Sequence, residues 1–213
     1  MDKLLQQIEK TGVLPVIKLN HPERDAVRLA QALTRGQLPA AEITFRAAGA
    51  AAAIRLTLEA NPDMLVGAGT VLTVEQAKAA IDAGAKFIVS PGFNPKVVAY
   101  VLSQNVLMLP GTVTPTEIEM ALGYGLKVLK FFPASVYGGV KAIKALSAPY
   151  SGVRFIPTGG VSLDNLAEYL AVPQILACGG SYMVKEALLE AGDFDQITEL
   201  CRQTAAIVQQ YRA

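Results

Sequence analysis

The sequence predicts a (β/α)8 barrel, a fold of eight parallel strands that are each followed by a helix. Apolar, strand-like runs alternate with helical segments throughout the 213 residues. Hydrophobic residues make up 52% and charged residues 17%, as expected when strands are covered on both faces. A doubly wound open sheet usually has fewer strands, and its Gly-x-Gly-x-x-Gly motif is missing. We expect one domain, 1–213, because no linker or low-complexity tract interrupts it.

Each predicted strand is an apolar run that ends near glycine, proline or a polar residue. A short amphipathic helix, 1–10, precedes the first of them as an addition to the barrel. The eight predicted strands are 13–19, 40–45, 64–67, 86–89, 106–108, 125–134, 153–157 and 174–177. The predicted helices that follow them are 22–35, 49–60, 73–83, 94–104, 114–122, 138–147, 162–170 and 193–212.

Helix boundaries are predicted from capping residues, prolines and glycines. Thr73 with Gln76, and Thr114 with Glu117, have the spacing of a capping box, in which side chains satisfy the first free N–H groups of a helix. Ser162 is the predicted cap of the seventh helix. Prolines stand at first helical positions and glycines follow the last ones, which supports the predicted bounds.

Charge and composition exclude several classes of function. The formal net charge is +1 without a basic run, so neither nucleic acid nor a membrane surface is an expected partner. No apolar stretch is long enough to span a membrane, and the N-terminus lacks the features of a signal peptide. The only cysteines, Cys178 and Cys201, form no disulfide framework, which favours a cytoplasmic location.

A single histidine limits the possible catalytic chemistry. His21 lies in a turn, so a zinc site of His and Cys ligands or a Ser-His-Asp triad is disfavoured. We expect no metal in the site and no cofactor, although magnesium held by carboxylates stays open at this point. Catalysis is expected to depend on Lys, Glu, Asp, Arg or Tyr.

Lys130 stands out because it lies within an apolar strand, between Leu129 and Phe131. Burying a charged ammonium group is costly, which favours the neutral amine, a nucleophile towards carbonyl groups. The alternative is that the ammonium group reaches solvent from the strand end. Alternation along the strand places Lys130 and Phe132 on one face and Lys127 on the other, where we expect it to be exposed.

The second strand carries three polar residues with a period of two. Glu42, Thr44 and Arg46 therefore share one face, which does not pack as an ordinary core. One interpretation is an internal Glu42–Arg46 ion pair that only stabilises the fold. The functional interpretation gives Glu42 proton transfer and Arg46 a bidentate grip on a carboxylate. If the second and sixth strands both face inward, Glu42 and Lys130 meet across the barrel.

Glycines follow the predicted seventh and eighth strands, as Thr158-Gly159-Gly160 and Gly179-Gly180-Ser181. Barrels of this kind often bind phosphate after these two strands, where backbone N–H groups are exposed. A Gly-Gly pair by itself is usually only a turn.

Nine segments in order resemble the bacterial KHG/KDPG aldolases, which act on 2-keto-3-deoxy-6-phosphogluconate. They are Pro15-Val16-Ile17, Glu42–Arg46, Val66–Val71, Ile88–Gly92, Leu109-Pro110-Gly111, Thr114–Glu117, Leu129–Ala134, Phe155–Val161 and Gly179-Gly180-Ser181. The resemblance implies a class I aldolase on a (β/α)8 barrel, commonly a homotrimer, that cleaves its substrate to pyruvate and glyceraldehyde 3-phosphate. It implies that Lys130 is the Schiff-base lysine and Glu42 the acid/base.

The same resemblance implies the substrate-binding residues. Arg46 and Thr70 match residues that hold the pyruvate carboxylate, and Pro91 and Phe132 match residues that line the pyruvate pocket. The phosphate site is implied to comprise Gly159, Gly160, Gly180 and Ser181, and Thr158 matches a threonine typical of the gluconate-type enzymes.

Lys18 departs from relatives that have arginine at the end of the first strand. Lysine keeps the charge but loses the planar fork, so affinity for the phosphorylated end or the sugar preference could differ. The alternative functions are a sister aldolase for 4-hydroxy-2-oxoglutarate or the galactonate epimer, a phosphosugar isomerase or epimerase, and a non-catalytic barrel that binds phosphate ligands.

Overall fold

The computed structural model describes residues 2–212. Met1, predicted as part of the first helix, and Ala213, the last residue of the predicted domain, lie outside the described residues. The strands are β1 (Val13–Ile17), β2 (Ala40–Thr44), β3 (Leu65–Gly69), β4 (Phe87–Val89), β5 (Leu107–Leu109), β6 (Gly111–Thr112), β7 (Val128–Phe131), β8 (Arg154–Pro157) and β9 (Cys178–Gly180).

Helices separate most of these strands. They are α1 (Asp2–Thr11), α2 (Pro22–Arg35), α3 (Ala50–Ala60), α4 (Val74–Asp82), α5 (Pro95–Ser103), α6 (Pro115–Gly123), α7 (Gly139–Ser147), α8 (Leu166–Leu170), α9 (Glu186–Ala191) and α10 (Phe194–Arg212), with a 3-10 turn at Tyr182–Val184. Two features set the start of α6: Pro115 occupies its first turn, and Thr114 and Glu117 form the predicted capping box. Among residues 2–212, no helix is both long and apolar enough to cross a membrane.

The strands form two sheets in which every pairing is parallel. One sheet has the order β5-β4-β3-β2-β1-β9, and the other has the order β6-β7-β8. Single bridges, Phe155 with Ile175 and Thr158 with Gly179, link the second sheet to the segment that contains β9. The predicted α/β class with a curled parallel sheet is therefore confirmed.

Two hydrophobic clusters fill the interior, because successive strand residues point to opposite faces. The larger cluster joins strand residues to the surrounding helices. The smaller one, called the strand cluster here, consists of Ile8, Leu14, Ala40, Leu65, Phe87, Val89, Leu107, Leu109, Val128, Ile156, Leu176 and Ala177. Leu4 and Leu5 pack against it, so the apolar face of α1 covers one side of this cluster.

The predicted position of the last strand is wrong. Residues 174–177 contribute only the bridge from Ile175, whereas Cys178, Gly179 and Gly180 form β9 and pair with β1. The prediction ends the eighth strand before these glycines. A side chain on Gly179 would collide with that of Thr158, so the close approach of β8 and β9 requires glycine here.

Three helix details also differ from the prediction. Ser162 does not cap a helix: α8 begins at Leu166, and the Ser162 N–H donates to Asn165 Oδ1 at 2.9 Å. Thr73 caps α4 as predicted, but the Gln76 side chain accepts from the Leu72 N–H instead of completing the box. The short helix α9 was not predicted.

Candidate active site

Lys130, near the end of β7, and Glu42, in the middle of β2, form a buried ion pair. Lys130 Nζ donates to Glu42 Oε1 at 3.1 Å, and the two side chains are only 6% and 2% exposed. Lys130 Nζ also lies 5.3 Å from the centre of the Phe132 ring. Alternation along the two strands therefore brings the acid and the amine together, as the sequence predicted. Glu42 pairs with Lys130 rather than Arg46, which removes the Glu42–Arg46 alternative.

One glycine of the neighbouring strand β3, Gly69, makes room for this pair. Gly67 is the β3 partner of Glu42 and Gly111 the β6 partner of Lys130, but β-carbons there would meet Phe87 and the Pro91 backbone instead. A β-carbon on Gly69 would collide with the Glu42 carboxylate. The Lys130 backbone is held by a 2.9 Å hydrogen bond from its N–H to the Pro110 carbonyl. The Glu42 carboxylate thus occupies space that a side chain at position 69 would fill.

A cavity of about 230 Å³ opens above Lys130. Its lining includes each predicted substrate-binding residue, and Glu42 lies behind it, 1% exposed. The complete lining is Val16, Arg46, Thr70, Pro91, Lys130, Phe132, Thr158, Gly159, Gly160, Val161, Gly179, Gly180 and Ser181. These residues come from the ends of seven different strands or the loops after them, the region in which barrel enzymes place their chemistry.

Arg46 is held at the cavity through Thr44. The Arg46 Nε–H donates to Thr44 Oγ1 at 3.2 Å, and the Thr44 hydroxyl donates to the Ile17 carbonyl at 2.8 Å. Thr44 is fully buried, whereas Arg46 is exposed and follows β2. The guanidinium group can therefore face a ligand while its stem is fixed by a buried hydroxyl.

Backbone conformation at the cavity is unusual at three positions. Thr70 has a φ of 53°, which is an outlier for a β-branched residue. Gly159 and Gly160 have φ values of 94° and 81°, which only glycine adopts without strain. A non-glycine residue held in this region is a reason to suspect function, because the surrounding structure must compensate for the strain.

Thr158 presents a polar atom that lacks a partner. Its Oγ1 is buried and makes no hydrogen bond with any other part of residues 2–212. The residue is 6% exposed and lines the cavity beside Gly159. Buried hydroxyl groups are nearly always hydrogen-bonded, so this group is available to a ligand.

Comparison with known proteins agrees with this geometry. The sequence profile of the KDPG and KHG aldolases matches residues 4–200. The chain belongs to this aldolase family. It is 52% identical to a 2-dehydro-3-deoxy-phosphogluconate aldolase of Treponema pallidum, over 98% of this chain and 99% of that protein. It is 43% identical to a KHG/KDPG aldolase of Escherichia coli K12, over 93% of each chain.

A solved structure of the family resembles the fold closely. It is a KDPG aldolase from Legionella pneumophila in which pyruvate was captured at low pH as a covalent carbinolamine intermediate. It shares 36% identity with this chain, with a TM-score of 0.89 over 93% of this chain and 96% of the other.

Several residues of the candidate active site were not predicted from the sequence. Val16, Val161 and Gly179 line the cavity, and Thr44 supports Arg46. Thr44 could have been recognised, because it shares a face with Glu42 and Arg46. Val16 and Val161 are apolar residues at strand ends, and no sequence signal separates them from core residues.

Lys18 lies in a second cavity of about 410 Å³ beside the first. Its Nζ donates to Glu186 Oε1 at 2.8 Å, with the side chains 34% and 49% exposed. The two cavities share Val16, Arg46, Val161 and Ser181. Lys127 is exposed, as predicted, and lies directly before β7.

Two ionisable groups of the second cavity have shifted pKa values. A hydrogen bond from Lys18, followed by one from Asn20, lowers the pKa of Glu186, which therefore stays ionised at neutral pH. Burial raises the pKa of Tyr182 to about 12. Because its hydroxyl group is also hydrogen-bonded to Thr204, Tyr182 is not available as a base near pH 7.

Proposed function

We propose that the protein is a class I aldolase that cleaves 2-keto-3-deoxy-6-phosphogluconate to pyruvate and glyceraldehyde 3-phosphate. The observation that carries the proposal is the buried Lys130–Glu42 pair, whose lysine lines a cavity of about 230 Å³. The relatives named as 2-dehydro-3-deoxy-phosphogluconate aldolases support the substrate.

The pair supplies both an amine and a base. One proton transferred along the 3.1 Å hydrogen bond turns the ammonium–carboxylate pair into a neutral amine and a carboxylic acid. A low-dielectric environment favours this neutral form over separated charges. The neutral amine of Lys130 attacks the C2 ketone to form a carbinolamine. The Glu42 carboxylic acid then protonates the departing hydroxyl group, so that water leaves, a protonated Schiff base forms and Glu42 returns to the carboxylate.

The Schiff base is the electron sink for carbon–carbon cleavage. Glu42 removes the proton of the C4 hydroxyl group, through a water molecule, as the C3–C4 bond breaks. The bonding electrons move into the iminium group, and glyceraldehyde 3-phosphate leaves. The enamine is then protonated at C3, and hydrolysis releases pyruvate and free Lys130.

The remaining cavity residues hold the substrate. Arg46 and Thr70 bind the carboxylate, because a guanidinium group and a hydroxyl group both donate to it. Pro91 and Phe132 line the pyruvate pocket. The unpartnered Thr158 hydroxyl group binds a substrate oxygen. We assign phosphate binding to Gly159, Gly160, Gly180 and Ser181, whose backbone N–H groups donate to the phosphate oxygens.

The whole chain, 1–213, acts in this proposal as one domain with a closed (β/α)8 barrel. Two observations support closure. Strands β5 and β6 are separated only by Pro110, so they count as one strand of the barrel. The bridges Phe155–Ile175 and Thr158–Gly179 connect β8 to the β9 segment at the other edge.

We also propose a cytoplasmic homotrimer, as the family resemblance implies. Val136 and Tyr137 follow β7 and are 77% and 52% exposed. Adjacent exposed apolar residues favour a subunit contact. Light scattering of the purified protein measures the oligomer directly, and a monomer or dimer would refute the trimer.

Cleavage of 4-hydroxy-2-oxoglutarate is a second candidate activity of the same site. The Escherichia coli relative is named for both KHG and KDPG, which favours such dual use. Side-by-side assays with both phosphorylated epimers and 4-hydroxy-2-oxoglutarate rank the substrates by kcat/KM.

Borohydride reduction in the presence of pyruvate tests the reaction type. We expect one stable adduct per chain, located at Lys130 by peptide mass mapping. An adduct on Lys18, or the absence of any adduct, would refute the assignment of Lys130. An isomerase, epimerase or binding protein would give no adduct and release no pyruvate.

A further inference from the structure

The second cavity contains an unusual arrangement of charges. Four charged residues line it: Lys18, Arg46, Lys185 and Glu186. Three of them are basic, so the surface attracts an anion. Glu186 is the one acid in this lining, and it is paired with Lys18 at 2.8 Å.

Asn20 also holds the Glu186 carboxylate beside Lys18. The Asn20 amide donates to the same Glu186 oxygen at 2.7 Å and to Glu190 Oε1 at 3.2 Å. Glu190 in turn lies 3.6 Å from His21 and 3.5 Å from Arg24. The carboxylate of Glu186 is therefore fixed beside Lys18 by two donors, in a cavity continuous with the catalytic one.

A substrate held at Lys130 extends towards this second cavity, because the two share Arg46 and Ser181. A dianionic end that approaches Lys18 meets an ammonium group already neutralised by Glu186 and is repelled by the carboxylate. An end without charge experiences neither effect. The repulsion doubles from a monoanion to a dianion, since Coulomb energy is proportional to charge.

We propose that Glu186 is a specificity-determining residue that weakens binding of the substrate's phosphorylated end by neutralising Lys18. The inference rests on the proposed aldolase function. It explains why a strongly basic cavity contains one fixed acid: Glu186 limits affinity for the phosphate group and so favours release of the phosphorylated product.

The test compares Glu186→Gln with Glu190→Gln. Glu190 lies one helical turn after Glu186 and lines neither cavity, so its substitution removes the same charge outside the proposed site. We expect Glu186→Gln to lower KM for the phosphorylated substrate roughly three- to tenfold at low salt. The decrease should shrink at high salt and be much smaller for the unphosphorylated sugar acid. Inorganic phosphate, used as an inhibitor, should show a matching decrease in its inhibition constant. Glu190→Gln should change each value less than twofold.

A double mutant tests the role of Lys18. Lys18→Met should raise KM for the phosphorylated substrate more in the Glu186→Gln background, where Lys18 is unpaired, than in the wild type. An unchanged or raised KM in Glu186→Gln, an equal effect of Glu190→Gln, or an absence of coupling to Lys18 would overturn the proposal. These results leave the aldolase function intact. That function fails separately if the wild-type protein forms no pyruvate adduct and cleaves no substrate.

Discussion

Two basic–acidic pairs on the neighbouring strands β7 and β8 differ in one respect that matters. Lys130 and Glu42 are 3.1 Å apart and almost fully buried. Arg154 and Glu9 join β8 to α1 through two hydrogen bonds of 2.9 and 2.6 Å, with side chains about one-third exposed at 34% and 38%. The Arg154–Glu9 pair has the shorter hydrogen bonds and is bidentate, but it is exposed to solvent, whereas the Lys130–Glu42 pair is not.

Burial, not distance, therefore separates a pair suited to chemistry from one suited to stability. A partly exposed pair gains little Coulomb energy in water and keeps its charges. A buried pair is expensive to desolvate and poorly suited to stabilising a fold, but it holds an acid and an amine within proton-transfer distance of each other. The following substitutions test this contrast, from the largest expected effect to the smallest.

Lys130→Met should decrease cleavage roughly a thousandfold or more, because no other group supplies the amine at this position. Lys127→Met, at an exposed residue directly before β7, is the matched control and should retain activity. Steady-state assays and borohydride trapping check both variants. Residual cleavage within tenfold of the wild type would show that Lys130 is not the nucleophile.

Glu42→Gln should decrease kcat roughly 10²- to 10³-fold while a pyruvate adduct still forms at Lys130. The amide keeps the shape of the carboxylate but accepts no proton at neutral pH. Single-turnover cleavage and adduct formation separate the two steps. Near-normal turnover would remove Glu42 from the proton-transfer steps.

Gly69→Ala should decrease kcat by about tenfold, because the added methyl group displaces the Glu42 carboxylate from Lys130. The matched control is Gly123→Ala, where an added β-carbon meets no atom within 4 Å. Circular dichroism verifies that both variants fold. A normal kcat in a folded Gly69→Ala variant would mean that the 3.1 Å geometry is not needed.

Glu9→Gln should lower the free energy of unfolding by about 0.5–1 kcal/mol, with kcat unchanged. The hydrogen bond from Arg154 lowers the pKa of Glu9 below its ordinary value of 4.5, so this contribution is present above that pH. It is lost as the pH falls through the folded-state pKa.

Urea unfolding near pH 7 and pH 4 measures both effects of Glu9→Gln. Glu59→Gln is the control, since its 3.9 Å pair with Arg55 lies on the exposed surface of α3. A loss of kcat in Glu9→Gln would contradict the separation between the two pairs.

The central pair was predictable because strand periodicity is a local property. The alternation at Glu42, Thr44 and Arg46 and the apolar run around Lys130 fixed which side chains share a face. Proline and capping residues likewise located α2 and α6, since those signals act within a few residues of a helix start.

Features that depend on distant parts of the chain were not predictable. The position of β9 depends on a glycine that accommodates Thr158, and the pairing of Lys18 with Glu186 joins residues 168 positions apart. The predicted Ser162 cap failed because the Asn165 side chain bonds the Ser162 N–H instead. Local patterns do not encode which distant side chain fills a given space.

The strand cluster has a consequence for the order in which reactants bind. Val128, one inward-facing position before Lys130 on β7, belongs to this cluster, and the apolar residues of α1 pack against it. The amine of Lys130 is consequently approached from the loop side, through the cavity to which we assign the phosphorylated substrate. In the bond-forming direction, an aldehyde that arrives first stands between pyruvate and the amine. For the proposed aldolase, we therefore expect aldol addition to be ordered, with pyruvate binding first and excess aldehyde competing against it.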